Sequence, residues 1–383
     1  MRWWATILVA ALLVGCAPRW EVALFQEASS TSATQTPFSL TGKTWRRLVK
    51  AFPDETQDRR SLTLERALWE AGVVAVEGIA LGDQSYPWEE IYQESWLLEE
   101  GRIRIGDELH EVESIRVTLP PEAAQTTAKL TDLAPTIAGA LGVNSPRMTT
   151  GRALGAFQVD HVVLIILDGL GYRRYEEVQG ARVIPFLDSL GTPKVALTVY
   201  PSVTKVGTAA IITGTTPERN GVRDRSKRDT EAETIFDTLA EANKTCAAVE
   251  GDALSFNFRH TSVILSGDRD GNGHTDDNTF ENAMKVISGE HSLAEGMPDF
   301  LWIHFHGIDD VGHTHGPGTD EEVAKLSEVD GYLKSLVMAL PPNTLVLICS
   351  DHGMHSVREG ERLGNHGSLL ASDMFVPIWV VQV

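Results

Sequence analysis

The run VVLIIL at residues 162–167, ended by Asp168 in LDGLGY, decides the fold. Six consecutive apolar residues are too few for a helix and show no polar face, which is the pattern of a strand buried on both sides. Comparable runs recur at 194–200 (KVALTVY), 245–250 (TCAAVE), 300–305 (FLWIHF), 344–350 (TLVLICS) and 376–383 (VPIWVVQV). Helical or polar stretches separate them. The expected architecture is therefore α/β, a three-layer α/β/α sandwich around a mostly parallel central sheet. Just upstream, TDLAPTIAGALGV reads as a short helix, with Leu133, Ile137 and Leu141 four apart, Pro135 in the first turn and Gly142 at the end.

Chemistry-bearing residues cluster where these runs stop. Asp168 ends the first, Asp351 and His352 end TLVLICS, and Asp309 and His313 follow FLWIHF in GIDDVGHTHGP. Open α/β sheets bind ligands beyond the carboxyl ends of their strands, so residues far apart in sequence can converge there. His366, in GNHGS, is one loop beyond His352 and can join them. Mixed carboxylates and imidazoles suit two divalent cations flanking one reactive oxygen, with zinc the first choice for such ligands. Asp310 is the alternative to Asp309, but the four-residue step to His313 favours Asp309. His306, His315 and His355 are read as supporting or surface residues.

These pieces resemble the alkaline phosphatase superfamily, and within it the type I phosphodiesterase and nucleotide pyrophosphatase branch, from about Thr131 to Val383. In YPSVTKVGTAAIITGTTPERNG, Thr204 follows a Pro and precedes Thr213-Gly214 at the spacing of that branch's nucleophile segment. The resemblance implies one metal held by Asp168, Asp351 and His352 with Thr204 as the reactive ligand, and a second held by Asp309, His313 and His366. It implies hydrolysis of phosphodiester or pyrophosphate bonds through a phosphothreonine intermediate. A free Thr hydroxyl is a poor nucleophile, and a bound cation makes it a better one while fixing its direction.

Two departures from the family pattern stand out. Where the resemblance implies a phosphoryl-binding Asn three positions after the nucleophile, this chain has Gly207 and then Thr208. Backbone N–H groups over Lys205–Thr208, or the Thr208 hydroxyl, are the expected substitutes. The helix at 131–143 also comes before Asp168 rather than after the last metal ligand, as in a circular permutation, so residues 133–141 are expected to pack beside the strand at 376–383. Separately, DRDGNGHTDDNTFENA places Asp268, Asp270, Asn272, Gly273 and Asp276 at calcium-loop positions one, three, five, six and nine, with Thr279 where a bidentate Glu is usual. A weak calcium site is expected there.

The 383 residues carry 33 basic and 53 acidic side chains, a net charge of −20 that disfavours duplex nucleic acid as a partner. A phosphate ester then needs a locally positive site, which bound cations would supply. The opening MRWWATILVAALLVGC reads as a bacterial lipoprotein signal with Cys16 as lipidation site, too short for a spanning helix. The expected organisation is signal 1–16, flexible tether 17–42, accessory subdomain 43–119 and catalytic domain 120–383. The expected location is extracytoplasmic, on a bacterial membrane through the lipid. Cys246 and Cys349 lie in apolar runs and are expected to be buried thiols. The rival readings are a phosphomonoesterase, a sulfatase, which lacks its Cys/Ser-x-Pro-x-Arg motif here, and a lipoprotein that binds ligands without catalysis.

Overall fold

Alternation within single strands builds the core. Along His161–Leu167 (β2 below), Val163, Ile165 and Leu167 enter one hydrophobic cluster while Val162, Leu164 and Ile166 enter the other, on the opposite face of the sheet. A strand buried on both faces cannot show a polar alternation, which is why the sequence reads as an unbroken apolar run. Each such side chain contributes about 1.5–3 kcal/mol on burial. The computed structural model describes residues 21–28, 38–57, 60–98, 101–294, 296–357 and 362–383.

The central sheet comprises β1 (Ala128–Lys129), β2 (His161–Leu167), β3 (Lys194–Leu197), β4 (Cys246–Glu250), β5 (Ser262–Leu265), β6 (Phe300–Phe305), β7 (Thr344–Cys349) and β8 (Phe375–Gln382), in the order β1-β3-β8-β7-β2-β6-β4-β5. All neighbours are parallel except β8, which runs antiparallel to both β3 and β7. Among the described residues between β7 and β8 there is no crossover helix long enough to return the chain across the sheet, in keeping with β8 running backwards. The expected mostly parallel α/β sandwich is the observed one.

The helix α1 (Leu133–Ala140) shares its hydrophobic cluster with Val376 and Ile378, so it lies on the face of the sheet toward which those β8 residues point. Its main helical neighbours are α2 (Thr204–Thr213) and α3 (Ile235–Glu241). The side of the sheet is the expected one. The close partner is a helix pair rather than the strand itself, because a helix layer packs laterally as well as downward.

The N-terminal region forms two further five-stranded sheets among the described residues. One of them corrects the expected tether: Glu21–Ala28 pairs in parallel with Ser114–Leu119 and antiparallel with Phe38–Thr41. Val22 and Leu24 alternate into the core there, so EVALFQEA carries a strand signal that its polar neighbourhood hides. The lipoprotein signal, Cys16 and residues 17–20 and 29–37 of the expected tether lie outside the described residues. No helix among the described residues is long and apolar enough to cross a membrane. Cys246 and Cys349 are buried free thiols, as expected.

Candidate metal centre

Every proposed ligand sits at the carboxyl end of the sheet. Asp168 follows β2, and Gly169 after it adopts φ +80°, where a Cβ would come within 3.1 Å of Asp309, so glycine lets two carboxylates approach. Asp351 and His352 follow β7. Asp309 and His313 lie one turn apart on α5 (Gly307–His315; α4 is Asp276–Ile287), which starts just past β6. Thr204 opens α2, and His366 lies in the loop leading to β8.

Two sets of contacts stand out, joined through Asp309, which lies within 4.8 Å of Asp168 and His352 as well as of His313 and His366. His352 Nε2 is 3.2 Å from Asp168 Oδ1, 3.2 Å from Thr204 Oγ1 and 3.6 Å from Asp351 Oδ2. His313 Nε2 is 3.2 Å from Asp309 Oδ2, and His366 Nε2 is 3.6 Å from Asp309 Oδ1. Asp309, not Asp310, therefore joins the centre. Asp310 is a neighbouring carboxyl that burial pushes up to about 6. All six candidate ligands and Thr204 lie together at the carboxyl end of the sheet.

Backbone contacts orient the imidazoles. Nδ1 of His352 donates to the Gly353 carbonyl at 3.0 Å, that of His313 to the Gly364 carbonyl at 2.8 Å, and that of His366 to the Ser202 carbonyl at 2.9 Å. Each ring therefore holds a proton on Nδ1 and turns Nε2 toward carboxylate oxygen. Both Asp351 carboxylate oxygens, Asp168 Oδ1 and Asp309 Oδ1 are buried without a hydrogen-bond partner. Lone pairs facing lone pairs in a buried site are the signature of a position for a cation, and the donor set fits divalent metal of the zinc type. Burial, reinforced by Asp168, pushes the Asp351 carboxyl up to about 7 in the protein alone. Burial, with His352 and Arg225 beside it, holds His366 well below the usual range for imidazole.

Residues 162–376 match the family described as Type I phosphodiesterase / nucleotide pyrophosphatase, more than half of the chain. The chain belongs to that family. The match runs from the first residues of β2 into β8 and so takes in every ligand described above. Relatives of this phosphodiesterase-family chain include GPI ethanolamine phosphate transferase 3 of Eremothecium gossypii, 34% identical over 82 residues, or 21% of this chain and 8% of that protein. The Homo sapiens GPI ethanolamine phosphate transferase 3 catalytic subunit is 41% identical over 63 residues, 16% of this chain and 6% of its own length. The chain thus spans less than a tenth of the length of these relatives. Among solved structures, human ectonucleotide pyrophosphatase / phosphodiesterase 5 aligns with a TM-score of 0.47 at 14% identity, covering 58% of this chain and 88% of that one. Phosphonoacetate hydrolase from Sinorhizobium meliloti 1021 aligns at 0.41 with 18% identity, covering 53% and 59%.

Several sequence expectations need correction. At Gly207 a Cβ would lie 2.9 Å from the Asp351 carbonyl oxygen, so no Asn side chain fits there. The N–H groups of Val206 and Gly207 both bond to the Val203 carbonyl, and Thr208 is buried within the helix, so most of the expected phosphoryl donors over 205–208 are occupied or enclosed. Arg225, missed in the sequence, lies at the site instead. Its Nη2 is 3.4 Å from both His366 ring nitrogens and 3.3 Å from the His366 carbonyl, and no carboxylate pairs with it among the described residues. Lys205 Nζ donates to the Arg225 carbonyl, and Arg362 Nη1 is 3.5 Å from His313 Nε2. A cationic rim thus borders the acidic centre of a chain whose net charge is −20.

The calcium loop does not assemble. Asp268 accepts the N–H groups of Gly271, Asn272 and Gly273, which makes a hydrogen-bonded turn. Asp270 bonds to Asn272, whose side chain also reaches Asp277. Asp276 turns away from the loop, is buried, and accepts the N–H groups of His306 and Gly307. The ninth position is thus committed to the start of α5, and acidic spacing alone did not reveal that.

The accessory region braces the loop after His366. Glu65, on the helix Leu64–Glu70, accepts the Leu369 N–H at 2.8 Å through Oε1. Burial pushes its carboxyl up to about 8, and Asp373 and Glu55 add to the shift. A carboxyl raised above its unfolded value of 4.5 binds more protons in the folded chain, so its contribution to stability falls as pH rises from 4.5 and is fully lost above about 8. Within that window the slope is about 1.4 kcal/mol per pH unit. Glu65→Gln removes it. Thermal melts from pH 5 to 9 should show the variant gaining on wild type as pH rises toward 8, and a constant difference would contradict this account.

Proposed function

We propose that the chain hydrolyses phosphodiester or pyrophosphate bonds with Thr204 as nucleophile and two divalent cations, zinc first. One cation would be held by Asp168, Thr204, Asp351 and His352, the other by Asp309, His313 and His366. The observation that carries this reading is the set of three imidazoles whose Nδ1 protons go to backbone carbonyls while Nε2 faces buried carboxylates. Bound cations would acidify the threonine hydroxyl and offset charge on the phosphoryl group and leaving oxygen. Thr204 Oγ1 forms the new bond to phosphorus as the leaving oxygen departs on the opposite side. Water then cleaves the phosphothreonine. The start of α2 fixes the Thr204 side chain, and Asp351, beneath it, permits only glycine at 207.

Arg225 is our candidate for holding the non-bridging phosphoryl oxygens, in place of the donors expected near Thr208. Arg225→Gln should lower kcat/KM by about 10²–10³-fold, the range for loss of one donor to developing charge. Steady-state kinetics on bis-p-nitrophenyl phosphate check it. The overall reading is tested by turnover of that diester in zinc-loaded protein, with acid quenching to trap phosphate on Thr204 for mass spectrometry. Zinc-loaded protein that turns over neither this diester nor p-nitrophenyl phosphate would count against it.

The relatives named as ethanolamine phosphate transferases favour a second outcome of the same chemistry, in which an alcohol replaces water as acceptor. Adding ethanolamine or glycerol to the assay and looking for a new phosphodiester separates transfer from hydrolysis. We further propose an extracytoplasmic location through lipidated Cys16, supported by the opening sixteen residues. Cys16→Ala should move the protein from the membrane to the soluble fraction.

A further inference from the structure

The helix Gly42–Ala51 (GKTWRRLVKA) has two unlike faces. Trp45, Leu48 and Val49 are buried in the hydrophobic core, and Trp45 Nε1 donates to the Leu97 carbonyl at 3.4 Å, which fixes the helix on the sheet behind it. Lys43, Arg46, Arg47 and Lys50 are exposed. They fall at i, i+3, i+4 and i+7, the spacing that lines side chains along one helix face. The helix contains no acidic residue, and none of the four cations makes an ion pair among the described residues. On a chain of net charge −20, such a stripe is out of keeping with the rest of the surface. The fold gains little from it: Lys43 stands in the first turn, where the helix dipole disfavours a cation, and only Lys50 lies in the last turn, where a cation is favoured.

The stripe begins where the chain enters the fold. Thr41 caps this helix by accepting the Thr44 N–H at 3.3 Å, and it also pairs with Glu21 in the antiparallel strands Phe38–Thr41 and Glu21–Ala28. Cα atoms paired in such a ladder lie about 5 Å apart. Glu21 is only five residues beyond Cys16. A chain spans at most about 3.6 Å per residue, so a lipid on Cys16 would hold the start of the helix within roughly 25 Å of the bilayer surface. At the other end, Arg223 Cζ stands 5.7 Å from the ring centroid of Phe52, the residue that ends the helix. Arg223 is exposed, and two residues later the same loop places Arg225 at the metal centre. Positive charge therefore leads from the point of attachment to the rim of the site.

We propose that Lys43, Arg46, Arg47 and Lys50, extended by Arg223, dock on the anionic phospholipid headgroups of the membrane that carries the protein. The inference rests on the lipidation of Cys16 proposed above. Each cation near an anionic lipid surface adds about a fivefold preference for it, and a lipid chain joined to a basic patch anchors more firmly than either alone. The lipid limits how far the protein stands from the bilayer. The stripe decides which side faces it, because an anionic bilayer attracts this face and repels the acidic remainder over a Debye length. Docking in this orientation turns the loop of Arg225 toward the membrane and gives the accessory region the task of orienting the catalytic centre.

The test uses the full chain, expressed in bacteria, purified in detergent and reconstituted on phosphatidylglycerol or on phosphatidylcholine vesicles. Exposed amines are then acetylated and read by mass spectrometry. Lys43 and Lys50 should be labelled about fivefold less on the anionic vesicles. Lys285, exposed on α4, which packs against β6 and β4, should label equally on both. Protection should fade in 0.5 M salt, where the Debye length is about 4 Å, and when Arg46→Gln and Arg47→Gln are combined. Equal labelling of Lys43 and Lys50 on both vesicles, with the protein sedimenting with each, would overturn the docking face and leave the anchor standing. Failure to sediment with either vesicle would overturn anchor and docking face together, so the two failures are distinguishable. Protection by poly-glutamate but not by anionic vesicles would assign the stripe to an acidic protein partner and overturn the membrane reading.

Discussion

Thr204→Ala leaves the fold intact and lowers kcat for phosphodiester hydrolysis by about 10⁴-fold or more, the scale seen when a covalent nucleophile is removed. Its side chain is partly exposed at the first residue of α2, and it caps no helix and fills no core position, so the loss is chemical rather than structural. The substitution deletes only a hydroxyl and a methyl group beside His352. Parallel assays of bis-p-nitrophenyl phosphate and p-nitrophenyl phosphate, with zinc, measure the loss. They also rank diester against monoester and so separate the proposed activity from its phosphomonoesterase rival. Melting temperature should stay within a degree or two of wild type. Full activity in the variant would remove Thr204 from the mechanism.

Chelation is expected to cost both activity and stability. Asp168, Asp309 and Asp351 bring three carboxylates into one buried cluster, and four of their oxygens lack any hydrogen-bond partner. An unpaired buried charge is expensive, so the metal-free fold carries this cost and the metal-bound one does not. Each cation present at about a thousand times its Kd adds about 4 kcal/mol of stability. Removing zinc with a chelator should therefore abolish turnover and lower the melting temperature by several degrees, and both should return when zinc is restored. The fall should be smaller in Asp351→Asn, because that substitution removes one of the uncompensated charges along with a ligand. A melting temperature indifferent to zinc would contradict the proposed ligands.

Local pattern carried much of this in the sequence. Asp168, Asp351 and His352 were legible because each stands directly after an apolar run, and strand ends meet along one edge of such a sheet. Asp309 and His313 were legible because a four-residue step places both on one helix face. The parallel layers and the buried thiols belong to the same class, whereas Thr204 was singled out by its resemblance to the family's nucleophile segment. In the local cases a residue's placement follows from its neighbours within a few positions.

What escaped depends on contacts across the fold. His304 sits inside FLWIHF, where a strand buried on both faces shows no alternation, and only the approach of Asp168 from β2 and Glu250 from β4 reveals its partners. Arg225 is one of several charges in a polar loop, and its position over His366 bridges 141 residues. Asp276 matched a calcium loop until helix α5 was found to claim it. The strand at 21–28 became recognisable only through its pairing with 114–119. By itself the sequence determined the layered α/β fold, since short-range periodicity encodes it, and it brought forward the candidate ligands through strand ends and Thr204 through the family resemblance. The tertiary structure alone decided which charges surround that centre and how its imidazoles are oriented, because long-range packing sets those contacts and one-dimensional spacing carries no record of it.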